Sequence, residues 1–255
     1  MTTPPRPSLD YATLNVPPGA YVMPSLSECL YATGTDDTEA AQRITSYLQG
    51  TTPATDLQPE ELSFLRQFFG EQAAERSERA LTYFTNRVPR RYNTATPDQH
   101  ASTWATSAVT NPDATRSLLI VGPTGTGKTH YAYGTLRAVA EAGSTGWRAL
   151  TAADLYASLR PRTGRDTEAE FEKLAKTPVL FIDDLAAAKL TEWTEEITYR
   201  LINHRYEQCL PGIFTSNVPP AQLREALGER IASRLTEMCE RLVLKGDDRR
   251  KAMAA

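Results

Sequence analysis

Residues 117–130 read SLLIVGPTGTGKTH, and no other stretch of this chain narrows its fold as much. The apolar run Ser117, Leu118, Leu119, Ile120, Val121 predicts a buried strand, and residues 129–142, free of Pro and of clustered charge, predict a helix. The loop between them fits G-x-x-x-x-G-K-[ST]. In that pattern Gly122, Gly125 and Gly127 let backbone N–H groups approach phosphate oxygens without Cβ clashes. Pro123, Thr124 and Thr126 complete the cradle, and His130 follows it on the helix. Lys128 is placed to reach the β and γ phosphates. The Thr129 hydroxyl is placed to hold Mg²⁺ at a helix N-terminus whose dipole favours the anion. The expected cofactors are therefore ATP or ADP with Mg²⁺. The loop does not say what the nucleotide is for, because many activities share it.

A chain of 255 residues has room for one large domain and an accessory segment. Its 28 Lys and Arg against 31 Asp and Glu give no global attraction to nucleic acid or membrane, so any DNA contact must be local. Cys29, Cys209 and Cys239 form no C-x-x-C pair, which argues against a zinc site or disulfide framework and suits a reducing compartment. No apolar run approaches membrane length, and MTTPPRPSLD lacks the basic-then-apolar order of a secretory signal. These features predict a soluble cytoplasmic protein.

Composition divides the chain into three parts. Residues 1–35, with Pro4, Pro5, Pro7, Pro17, Pro18 and Pro24, read as a disordered tail. Residues 36–87 form a small helical region, with helices expected at 37–48 and 59–86. In the second, Leu62, Leu65, Phe68 and Phe69 recur at helical spacing. That stripe is either core or a docking surface. From 88 to 255 strands and helices alternate, with strands expected at 117–121, 147–151, 179–182, 212–215 and 241–244. The order predicts an α/β fold: a five-stranded parallel sheet covered by helices on both faces, with ligand at the strands' carboxyl ends.

Three further groups carry chemistry. PVLFIDDL, residues 178–185, ends an apolar strand in Asp183 and Asp184, and two adjacent carboxylates at a buried strand tip are costly unless a cation or water compensates. Asp183 is the candidate Mg²⁺ ligand, and Asp184 the group that orients or deprotonates an attacking water. The next strand ends in Thr215, Ser216, Asn217, which puts the Asn217 amide at the same sheet edge. In GERIASRLTEMC, residues 228–239, Ile231, Leu235 and Met238 share a helix face beside Arg230 and Arg234. These two arginines read as unpaired apart from a weak Arg234–Glu237 contact. They are either a solvated surface or a finger reaching a neighbour's nucleotide. Arg160, Arg162 and Arg165 cluster in LRPRTGRD, a loop either merely solvated or in contact with phosphates; with no aromatic interleaved, base stacking is not indicated.

From residue 88 to about 250 the chain resembles the AAA+ ATPases of the DnaC/DnaI helicase-loader type, kin of the initiator DnaA and the transposition helper IstB. GPTGTGKTH resembles their Walker A, LFIDDL their Walker B with Asp as second acid, FTSN their sensor 1 and ERIASRL their arginine-finger helix. VPRRYNTAT resembles the lead-in before such a core. The resemblance implies that Arg234 is the finger and Arg230 its companion, and that residues 152–176 face single-stranded DNA in a spiral assembly. It also implies ATP-dependent loading of a replicative helicase hexamer, gripped through the N-terminal region. The chain departs from the pattern in having no N-terminal cysteine pair and no clear lid, with Arg249 or Arg250 left as candidates for sensor 2. Two alternatives stay open: an IstB-like ATPase that targets a transposase, and a small-molecule P-loop kinase using LRPRTGRD as an arginine lid.

Overall fold

Strands buried on both faces must be apolar throughout, and three pentapeptides meet that condition: β1 Ser117–Val121, β3 Val179–Asp183 and β4 Gly212–Ser216 are buried along almost their whole length. A computed structural model describes residues 9–17, 19, 21–33, 38–164, 166–187 and 191–246. The three strands form the centre of a five-stranded sheet in the order β2-β3-β4-β1-β5, with β2 Trp147–Thr151 and β5 Cys239–Val243 at its edges. Every pairing is parallel.

The chain falls into two compact units, Met1–Arg79 and Ala80–Ala255. In the first, α1 Tyr11–Leu14, α2 Leu26–Thr33, α3 Thr38–Leu48 and the leading part of α4 Pro59–Arg87 enclose a core of Leu14, Tyr21, Cys29, Ile44, Leu65 and Phe69. Leu65 and Phe69 are fully buried, and Leu62 and Phe68 pack beside them, so the aromatic stripe is spent on this unit's core.

The proline-rich leader departs from the expected tail. Among its described residues, Leu9, Leu14, Val16, Tyr21 and Cys29 are buried. The apolar residues between the prolines suffice to anchor it: Arg66 donates to the Thr13 carbonyl at 3.2 Å, and the Arg76 guanidinium lies 4.4 Å above the Tyr21 ring. Residues 1–8 and 34–37 lie outside the described residues.

In the second unit α5 Gln99–Thr110 and α6 Lys128–Glu141 cover one face of the sheet. The other carries α7 Ala152–Leu159, α8 Thr167–Ala175, α9 Glu192–Glu207, α10 Leu223–Leu227 and α11 Glu229–Met238. Strand alternation produces the two cores: Leu118 and Ile120 point into the α5/α6 layer, while Leu119 and Val121 point into the five-helix layer. The layering is the parallel sheet covered by helices on both faces that the order of elements predicts. The parallel register then gathers the strand tips on one edge: Thr151 pairs with Asp183 and Val121 with Ser216. Among the described residues no helix is long and apolar enough to cross a membrane.

Candidate active site

The loop after β1 is shaped by what glycine alone allows. A Cβ at residue 122 would stand 2.3 Å from the Leu244 carbonyl oxygen, and Gly127 enters α6 at φ 93°, in the left-handed region. Thr126 braces the turn by donating to the Pro123 carbonyl at 2.9 Å, and Pro123 and Thr124 form the exposed tip. Lys128 reaches back across the loop, its Nζ donating to the carbonyls of Gly122 and Pro123 at 2.8 Å each. Gly127 caps α6 without a side-chain hydrogen bond, which leaves the helix's leading N–H groups facing the cradle. Glycine clearance, an ammonium within the loop and an uncapped helix start all fit a polyphosphate. His130 points to solvent one residue past Thr129.

Beside the loop a row of hydrogen bonds joins three strands' worth of chemistry. Thr129 Oγ1 donates to the Asp183 carboxylate at 3.0 Å, and Thr215 Oγ1 donates to the same carboxylate at 2.6 Å. Thr215 also accepts from the Asp184 backbone N–H at 2.7 Å, while Asn217 Nδ2 donates to Asp184 Oδ1 at 2.8 Å. Asp184 is held at φ 56°, a left-handed conformation uncommon for a residue with a Cβ. Burial lifts the Asp184 carboxyl above the usual carboxylate range. The Asp183 charge adds to that rise, and Lys128 and the Asn217 hydrogen bond work against it. Thr129 and Asp183 offer adjacent hard oxygens, a donor set suited to Mg²⁺ that completes its shell with water and phosphate. Among the described residues no three His, Cys, Asp or Glu side chains gather for a metal, so no protein-only cage competes with that arrangement.

Other predicted residues lie apart from this row. Arg230 and Arg234 sit on α11 against α9, and the expectation that they are unpaired needs correction. The Arg234 guanidinium lies 4.3 Å from the Tyr206 ring centre and 3.9 Å from Glu237, whose carboxylate also accepts from the Tyr206 hydroxyl at 2.6 Å. Arg230 lies 5.7 Å from the Tyr199 ring centre. Aromatic faces attract a guanidinium as a carboxylate does, and α9 presents two of them along this side. Arg160 and Arg162 are exposed after α7. Arg165, Arg249 and Arg250 lie outside the described residues.

Sequence reasoning missed three features. Thr215 is one; a hydroxyl at the tip of a fully buried strand was its available signal. Arg205 is another: it is fully buried and donates to the carbonyls of Ala175, Thr177, Pro178 and Pro211, and burial lowers its pKa to about 9. The third corrects the reading of the basic loop: Trp193, 33 positions along the chain, lies beneath Arg160, its ring centre 5.8 Å from the guanidinium.

Residues 89–254 match the family model described as IstB-like ATP binding protein. The chain belongs to that family. Its relatives carry two kinds of name. The replicative helicase loader DnaI of Bacillus subtilis is 29% identical over 38% of this chain and 34% of its own length. A protein named for ATP binding in insertion sequence IS5376 of Geobacillus stearothermophilus is 33% identical over 51% of each chain. The chain thus spans between a third and about half the length of these curated relatives. The crystal structure of the DnaC helicase loader superposes with a TM-score of 0.52 at 30% identity, covering 62% of this chain and 100% of that one. This IstB-like chain is therefore an ATP-binding protein of AAA+ architecture.

Proposed function

We propose that the chain is an ATP-hydrolysing switch that loads a replicative helicase onto single-stranded DNA. The observation that carries the loader reading is the match to the DnaC helicase loader over the whole of that chain at 30% identity. The site's geometry supports hydrolysis. Gly122, Pro123, Thr124, Gly125, Thr126, Gly127 and the start of α6, with His130 at their margin, form the phosphate cradle. Lys128 takes the β and γ phosphates, and Thr129 and Asp183 hold Mg²⁺. When bound, magnesium neutralises charge on the phosphate oxygens. Asp184, with its raised proton affinity, orients a water or takes its proton, and Asn217 fixes the carboxylate that does so. Arg234, with Arg230 beside it, completes a neighbour's site in a head-to-tail assembly.

Outside the site, residues 36–87 dock the helicase hexamer, and Arg160, Arg162 and Arg165 hold the DNA backbone. ATP favours assembly and grip on DNA, and conversion to ADP releases the helicase. The decisive test is mass photometry of the full chain with a candidate helicase, with and without ATP. An ATP-dependent complex is expected, and no complex with any replicative helicase of the host would sink the reading. The second reading, a transposase-targeting ATPase, rests on the insertion-sequence relative; it requires co-purification with a transposase and preference for duplex DNA. A small-molecule kinase has no comparable observation in its favour.

A further inference from the structure

The basic loop sets an exposed arginine, Arg160, over the indole of Trp193. Arg43, Arg137, Arg148, Arg200, Arg224 and Arg234 each reach a carboxylate, so their charge is already neutralised within the protein. Arg160 and Arg162 make no ion pair among the described residues, and both are exposed. Trp193 is also unusual. Trp104 and Trp147 are 6% and 4% exposed, whereas Trp193 is only half-buried at the start of α9. Its ring is steadied at one side by the edge of Tyr156, ring centres 5.9 Å apart, and Tyr156 is itself fixed by a 2.6 Å hydrogen bond with Thr198.

A surface tryptophan that merely capped the core would gain most by closing tightly against its neighbours. Here the cation above it stands off. Arg200 lies 4.2 Å from the Phe171 ring centre and Arg234 4.3 Å from that of Tyr206, but Arg160 stays 5.8 Å from the Trp193 ring centre, near the outer limit for cation–π attraction. Little attraction is lost if that arginine moves aside. An anchored, partly exposed indole beside the Arg160 guanidinium, with Arg162 exposed two residues further along the same loop, matches a ligand that is flat and aromatic at one end and anionic at the other.

We propose that Trp193 is a stacking platform for an unpaired nucleobase, with Arg160 and Arg162 taking the adjoining phosphates. The inference rests on the proposed contact between this loop and single-stranded DNA, and it adds the base-binding element. Bases within a duplex are already stacked on one another and cannot lie on the indole, so the platform selects single strands without reading sequence.

The test uses the full chain with ATP and magnesium, an oligothymidylate, and an abasic strand of equal length. Since Trp193 is the half-buried tryptophan of the three, binding of oligothymidylate quenches its emission, while the abasic strand does not. Trp193→Ala weakens oligothymidylate binding by between about five- and 150-fold. Its log–log salt slope stays unchanged, because stacking releases no counterions. Replacing Arg160 and Arg162 by Gln lowers the slope by about 0.7 for each charge removed. Trp193→Phe keeps a ring and most of the affinity, which guards against misreading an unfolded Ala variant.

If both Trp193 variants bind like the parent and emission is unmoved while the arginine variants lose salt dependence, the stacking inference is overturned and the DNA reading stands. If the parent binds no single strand, the DNA reading fails and the platform with it.

Discussion

The two ends of the sheet handle buried charge in opposite ways. At the amino end, Arg205 has no carboxylate partner among the described residues; four backbone carbonyls around the starts of β3 and β4 surround its guanidinium, and burial lowers its pKa to about 9, still charged at neutral pH. At the carboxyl end, Asp183 and Lys128 act on the Asp184 carboxyl in opposite senses, and the contacts of these three residues include hydroxyl, amide and loop-carbonyl groups. Fixed main-chain dipoles give the first end one stable arrangement. Adjustable side-chain contacts and a left-handed Asp184 give the second an arrangement that a nucleotide can exchange for its own. Stability is concentrated where nothing needs to change, and charge repulsion where something must bind.

The largest expected effect tests whether the carboxyl end is complete in one subunit. Arg234→Ala is expected to bind ATP normally yet lose on the order of 10³–10⁵ in turnover within the assembly. Lys128→Ala is expected instead to lose about 2–5 kcal/mol of ATP affinity. Mixing the two inactive proteins restores part of the turnover, because some interfaces join an intact Lys128 site to an intact Arg234. Normal hydrolysis by Arg234→Ala would make the site self-sufficient and Arg234 a surface residue held by Tyr206. Next in size is Asp184→Asn, which keeps the shape and the Asn217 contact but removes the charge. Single-turnover assays should show a loss of about 10²–10⁴ with ATP still bound, while melting holds or rises because the repulsion from Asp183 is gone. A clear drop in melting temperature would mean that this charge stabilises the fold, erasing the contrast between the two ends.

Arg205→Leu probes the other side. It leaves four carbonyls without their donor, and a loss of about 3–5 kcal/mol in stability is expected. That corresponds to a fall of roughly 10 °C in melting temperature for a chain of this size. Nucleotide affinity of the folded fraction should be unchanged. Unaltered melting would show that desolvating the guanidinium costs as much as its hydrogen bonds return.

Much of this architecture was readable because it is local. Fully buried strands appear as apolar runs, and the glycine loop with Lys128 and Thr129 is contiguous. Where solvent meets the sheet the signal blurs: β5 begins at Cys239, two residues earlier than expected, because Glu240, exposed on an edge strand, looks like loop. Helix α5 begins after Asp98, whose carboxylate caps it by accepting from the Ala101 N–H. What stayed hidden depends on partners distant in sequence. Arg205 looks like any arginine near a helix end until four carbonyls converge on it. The Arg160–Trp193 pair spans 33 positions, and the leader's apolar residues gain a core only when α4 is beside them.

Thr215 belongs to both ends' logic and carries the smallest expected effect. It is 1% exposed, like a structural residue, yet its hydroxyl serves the adjustable site by donating to Asp183 and accepting from the N–H of Asp184. Thr215→Val preserves volume and branching, so the loss is confined to that hydroxyl. The half-buried Asp184 N–H then lacks its acceptor, at a cost of about 1 kcal/mol, and the left-handed turn loses a restraint. Because Lys128 and the cradle are untouched, ATP affinity should hold while turnover falls, and Thr215→Ser should recover most of it by returning the oxygen. The measurement is the pair of single-turnover rate and ATP affinity for all three proteins. If Val and Ser variants are equally slow, the hydroxyl does not act alone and the methyl group's packing is needed with it. If Val turns over normally, Asp184 keeps its orientation through Asn217 alone, and the site is held by one contact fewer than its geometry implies.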